Sequence, residues 1–153
     1  MLYFKNLLFV LAVPGSVAVY VPLWITRGQS VQPGAWLAVA CCLFAAGGSV
    51  LLWSVGAFAV FGRATPAPID APKRLVVRGL YRYARNPMYV GVLTIIAGWV
   101  VLYQTRSILI YWATVAVAFH LFVILYEEPH LRGAFGAEYT DYCKRVGRWL
   151  PRG

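Results

Sequence analysis

The sequence predicts an all-α integral membrane bundle of four transmembrane helices, with a cytoplasmic loop and an amphipathic C-terminal helix. Three observations carry that prediction. Hydrophobic residues fill 61% of the 153 positions and charged residues only 12%, against about half and a quarter in a typical soluble domain. Mean hydropathy is +0.67. The apolar residues gather in four stretches, about Leu7–Thr26, Ala35–Phe61, Met88–Tyr103 and Ser107–Tyr126, each comparable with the roughly 17–25 helical residues that cross a bilayer core.

The first stretch carries Pro14 and Pro22, which remove backbone donors and are expected to kink it. Lys5 precedes it in the manner of a signal sequence, but no small-x-small cleavage site follows, so it reads as a retained helix. The second stretch is long enough to tilt or project from the membrane. The third is short and is expected to begin inside the Arg85-Asn86-Pro87 turn. Cys41, Cys42 and Cys143 are odd in number and fit no disulfide, zinc or redox spacing, so they read as small packing residues.

Charge gives the orientation. The net charge of +9 sits mainly in two blocks flanking apolar segments. Arg63, Lys73, Arg74, Arg78, Arg82 and Arg85 face one acid, Asp70, in the long loop, and the tail holds Arg132, Lys144, Arg145, Arg148 and Arg152. The remaining connections carry Arg27 and Arg106. Excess positive charge stays on the cytoplasmic side, which places the loop, the tail and both termini there. No soluble basic domain remains to bind nucleic acid. The whole chain, 1–153, reads as one membrane domain, with 62–87 as a cytoplasmic loop and 127–153 as a cytoplasmic amphipathic tail.

Two features mark a site. The loop is stiffened by Pro66, Pro68 and Pro72 and ends in the basic, aromatic run Gly79–Gly91, G-L-Y-R-Y-A-R-N-P-M-Y-V-G. Ordered charged loops of this length are usually functional. One apolar hairpin later stand Glu127 and Glu128, followed by Pro129, which is expected to disrupt the helix there. Acids at a helix C-terminus oppose its macrodipole. Adjacent helical residues diverge by about 100°, so one glutamate is expected to face the bundle and the other water or an arginine; the alternative is a pair of interfacial charges answering Arg82 or Arg85. His120, seven residues before Glu127, would share nearly the same face and is a candidate catalytic base; packing is the alternative role. In the tail, Leu131, Phe135, Tyr139, Tyr142, Val146 and Trp149 form one apolar stripe. It would either lie on the membrane surface or fold back over the loop.

These residues resemble a known family. G-x-Y-R-Y-x-R-N-P-M-Y-x-G, an apolar hairpin, then E-E-P-x-L-x-x-x-F-G-x-E-Y-x-x-Y-x-x-x-V-x-R-W-L-P is similar to the isoprenylcysteine carboxyl methyltransferase and phospholipid methyltransferase group, over about Gly62 to Pro151. The resemblance implies a membrane methyltransferase that uses S-adenosylmethionine, needs no metal, and acts on a lipophilic small molecule among membrane lipids. It implies cofactor contacts at Lys73, Arg74, Leu75, Val76, Tyr81, Asn86, Pro87, Met88, Tyr89 and Glu127. The family often has His where Asn86 stands, and the eukaryotic carboxyl methyltransferases place an arginine where this chain has Val123, which points away from a prenylcysteine carboxylate. A non-catalytic membrane scaffold that keeps the fold is the alternative. A nicotinamide-dependent reductase of related architecture is a third reading, lowered by the lack of a G-x-G-x-x-G loop.

Overall fold

A computed structural model describes residues 12–57, 60 and 75–152, and among them the protein is helical, with no strand. Helix α1, Ser16–Ile25, is followed by α2, Ala35–Ala57. A 3-10 turn, Gly79–Arg82, leads into α3, Pro87–Tyr103. Residues 104–105 turn the chain into α4, Arg106–Phe122, which runs on through a π-helical turn, Val123–Glu127, into α5, Glu128–Arg145. Among the described residues, two helical stretches are long and apolar enough to cross a membrane: Ala35–Ala57 and the continuous Arg106–Arg145. The apolar part of the latter ends at Tyr126, and polar residues follow. Helices α1 and α3 are apolar but shorter.

Pro22 and Pro129 sit at the first turns of helical segments and end no helix abruptly. Pro22 has no N–H, so the carbonyl four residues earlier, Ala18 O, loses its helical donor. The preceding Val21 N–H reaches back five residues to Ser16 O, which frees Val17 O as well. Unpaired carbonyls are costly in an apolar surrounding. Both are answered by aromatic side chains of neighbouring helices: the Trp99 indole donates to Ala18 O at 2.9 Å and the Tyr111 hydroxyl to Val17 O at 2.8 Å. Pro129 repeats the pattern, since Glu128 N–H reaches Val123 O in the same wide register. Instead of disrupting the helix, as the sequence suggested, Pro129 opens the first turn of α5.

The core lies where the four helices meet, around Ala18, Leu51, Val92, Ile96 and Val115. Helices α2 and α3 pack most extensively. Their backbones touch at Gly47 and Gly91, where a Cβ on either would lie 2.7 to 2.9 Å from the other's carbonyl oxygen. The outer faces are apolar: Trp24, Leu52, Trp53, Ile110 and Leu125 are 72, 66, 63, 64 and 71% exposed. Cys41 and Cys42, expected in packing, face outward on α2.

The tail is not one regular helix. Gly136 adopts φ 51°, ψ −120°, a conformation essentially confined to glycine, and α5 stops at Arg145 because Val146 is extended. The apolar stripe nevertheless packs inward. Tyr139, Tyr142 and Val146 form a buried cluster with Leu131, Phe135, Cys143 and, from the loop, Leu75. The Tyr142 hydroxyl donates to Tyr81 O at 2.6 Å. Among the described residues the tail therefore folds back against the loop.

Candidate active site at the end of the hairpin

The N-terminus of α3, the π turn and the strand-like segment after α5 converge. Asn86 caps α3 and Pro87 takes its first position, where a missing N–H costs nothing. One turn on, the Tyr89 hydroxyl donates to Glu127 Oε2 at 3.0 Å. Burial pushes the Glu127 carboxyl up; the Tyr89 hydrogen bond opposes the rise and the Glu128 charge adds to it. Tyr81 is buried with Val76 and Ala57. Its phenol is pushed well above the ordinary tyrosine range, by burial and then by the Glu127 charge. Tyr89 also meets Phe119, with ring centroids 4.7 Å apart, and Trp149 at 6.4 Å.

Glu128 faces the other way. It is 6% exposed and accepts from Arg148 through two parallel bonds, Nε to Oε1 at 2.6 Å and Nη2 to Oε2 at 3.1 Å. Arg85 Nη1 lies 3.2 Å from Oε1. Burial pushes this carboxyl up, but the Arg148 hydrogen bond and the Arg85 charge prevail and hold it below the ordinary carboxylate range. The divergence expected of adjacent glutamates is present, and Arg85 with Arg148, rather than the exposed Arg82, answers the second acid.

Residues 146–150 form a strap over this end. Arg85 N–H donates to Gly147 O at 2.9 Å, and Asn86 Nδ2 donates to Arg148 O at 3.1 Å. Trp149, thus held, donates its indole N–H to His120 Nδ1 at 3.2 Å. His120 is exposed. The seven-residue spacing would align it with Glu127 in a regular α-helix, but the π turn inserts about one residue, roughly 100° of rotation, and turns Glu127 toward Tyr89 instead.

The residues singled out in the sequence do not all gather. Tyr81, Tyr89 and Glu127 do, with Asn86 nearby at the start of α3, bonded to the strap. Leu75 and Val76 pack beneath the loop and the tail, and Met88 turns into the central core. Lys73 and Arg74 lie outside the described residues. Arg85 is among the arginines expected to answer the glutamates, and it does; sequence reasoning overlooked Phe119 and Arg148, and the signal for the latter was the V-x-R-W-L-P ending, whose arginine and tryptophan both reach the site.

Comparison with known proteins agrees with the motif. The phospholipid methyltransferase family model matches residues 35–138. Protein-S-isoprenylcysteine O-methyltransferase B of Arabidopsis thaliana is 35% identical over 78 residues, 51% of this chain and 40% of that protein. Methanethiol S-methyltransferase 1 of Bradyrhizobium diazoefficiens is 35% identical over 81 residues, 52% of this chain and 27% of that protein. A probable protein-S-isoprenylcysteine O-methyltransferase of Oryza sativa subsp. indica is 35% identical over 78 residues, 51% of this chain and 41% of that protein. The matched stretch thus spans less than half of each relative's length. No solved structure matches the chain.

Proposed function

The chain belongs to the phospholipid methyltransferase family, and on that footing we propose that it is an integral membrane enzyme transferring a methyl group from S-adenosylmethionine to a lipophilic small molecule. The observation that carries this reading is the Tyr89–Glu127 pair at the mouth of the hairpin, lined by Phe119 and Trp149.

The donor set fits the cofactor. A half-buried carboxylate whose Oε2 is taken by Tyr89 offers Oε1 to ribose hydroxyls or an ammonium group. Ring faces of Tyr89 and Tyr81 suit a purine or a sulfonium cation. Asn86 and the adjoining Pro87 shape the start of α3, Val76 packs against Tyr81, and Met88 and Leu75 pack away from the pair, in the central core and against the tail. Lys73 and Arg74 would meet the cofactor carboxylate. When bound, the cofactor supplies an electrophilic methyl group on sulfur, open to in-line displacement without a metal. The chain's own task is orientation, which can be worth about 7–11 kcal/mol in well-placed cases.

The bundle reading extends to four crossings, with α1 and α3 completing the two longer helices, and to cytoplasmic termini by the positive-inside rule. The cofactor then arrives from the cytoplasm through the 62–87 loop and the 127–153 tail, and the acceptor arrives sideways from the lipid. Isothermal titration of the purified protein with S-adenosylmethionine and with S-adenosylhomocysteine tests the reading. Saturable binding, weakened by Glu127→Gln, is expected. Folded protein that binds neither compound would overturn it, and binding without transfer to any lipophilic acceptor would favour the scaffold reading.

A further inference from the structure

His120 and Glu127 leave the helix in different directions, yet both belong to one connected surface because Trp149 joins them. Its ring lies 6.4 Å from Tyr89, the partner of Glu127, and 6.0 Å from His120, to which it also donates. The indole is not on a loose tail. Arg148 beside it is held by Glu128 through two bonds and by Asn86 through its carbonyl, and Gly147 is held by Arg85. Three anchors within two residues fix where Trp149 stands.

The direction of the indole bond has a chemical consequence. An indole nitrogen only donates, so His120 Nδ1 must accept. A neutral imidazole that accepts at Nδ1 carries its proton on Nε2. The outward edge of His120 is then a donor and holds no basic lone pair.

We propose that Trp149 is a positioning residue that fixes His120 as an Nε2–H donor on the acceptor side of the site. In this arrangement His120 does not remove a proton. It holds an acceptor that already presents a lone pair on oxygen or sulfur, and a protonated amine finds no partner there. The proposal deepens the methyltransferase reading and rests on it for the word acceptor, but the tautomer can be measured apart from any activity.

The experiment is long-range proton–nitrogen correlation on protein labelled with nitrogen-15 histidine. There are two histidines, His120 and His130, and a His130→Gln variant assigns the signals. The expected result is the Nε2–H pattern for His120 in the wild type and a mixture of both tautomers in Trp149→Phe, which keeps a ring but has no N–H. A thermal melt in detergent serves as the fold control, and the Trp149→Phe midpoint should lie close to that of the wild type. An Nδ1–H pattern in the wild type, or an unchanged pattern in Trp149→Phe, overturns the proposal. Failure of the wild type to bind S-adenosylhomocysteine would instead remove the methyltransferase reading and leave the tautomer result standing.

Discussion

Tyr89 and Glu127 are 38 positions apart and meet at 3.0 Å, joining the first turn of α3 to the last residue of the π turn. The contact fixes one carboxylate oxygen and leaves the other for a ligand. A hydrogen bond to a charged group contributes about 1.5–3 kcal/mol. Tyr89→Phe should therefore weaken S-adenosylhomocysteine binding by roughly 10- to 100-fold and, because the bond is present without ligand, lower the melting temperature as well. Calorimetric titration beside a melting curve checks both halves, and an unaltered affinity would detach Tyr89 from the site.

The two glutamates should separate by experiment as they do by geometry. Glu128→Gln leaves Arg85 and Arg148 without their anion, and breaking a buried pair costs about 3–5 kcal/mol. It should lower the melting temperature in detergent markedly. Glu127→Gln should leave the melting temperature almost unmoved and lose cofactor affinity. Equal losses of affinity, or a larger loss in Glu128→Gln once folded, would reverse the assignment.

The depressed Glu128 carboxyl also sets a pH dependence. Its folded value lies below the ordinary 4.5, so the charged form is favoured in the folded protein. The stability it contributes is present above about pH 4.5 and is lost as pH falls through the lower folded value. The gap in melting temperature between wild type and Glu128→Gln should be widest near neutrality and close as the medium is acidified below 4. A gap independent of pH would show that packing, not charge, separates them.

The aromatic donors to α1 make a fold prediction. Trp99→Phe leaves Ala18 O, which Pro22 cannot serve, without its indole partner. An unsatisfied buried carbonyl costs about 1–3 kcal/mol, so the variant should melt earlier. Trp112→Phe removes a donor from Leu93 O, which lies away from any proline, and should cost less. Reversal of that order would count against the proline account.

If His120 donates through Nε2, a glutamine there can replace it. His120→Gln should keep turnover within a few-fold, whereas His120→Ala should lose on the order of tenfold, the size of one hydrogen bond. A general base would be lost equally in both, typically by 10²–10⁴. Initial rates with radiolabelled methyl donor distinguish these patterns.

Much of this arrangement could be read from residue order alone. The start of α3 at Pro87 and the short turn at residues 104–105 follow from proline geometry and hydropathy, and the apolar stripe of the tail from its spacing, whereas the stripe left open whether the tail folds back or lies on the membrane. What hydropathy could not register is backbone register. Val123–Tyr126 is as apolar as the helix before it, and the shift shows only as a proline two residues beyond Glu127. Alignment of His120 with Glu127 failed for that reason. Arg85 was legible as a partner for one of the acids, but Arg148 was not, because its pairing with Glu128 depends on a strap that crosses back from the far end of the chain.

The π turn at Val123–Glu127 amounts to an α-helix with one residue too many, and that surplus gives the site a length dependence. Deleting one residue from this stretch would restore the ordinary 3.6-residue repeat. The stretch following it would swing by about 100° relative to α4, withdrawing Glu127 from Tyr89 and presenting it on the side of His120. Hydropathy and composition would hardly change. A one-codon deletion here would thus rewire the site more thoroughly than most substitutions, and chains of this kind that differ by one residue between the hairpin and the paired acids should differ in which carboxylate faces the bundle.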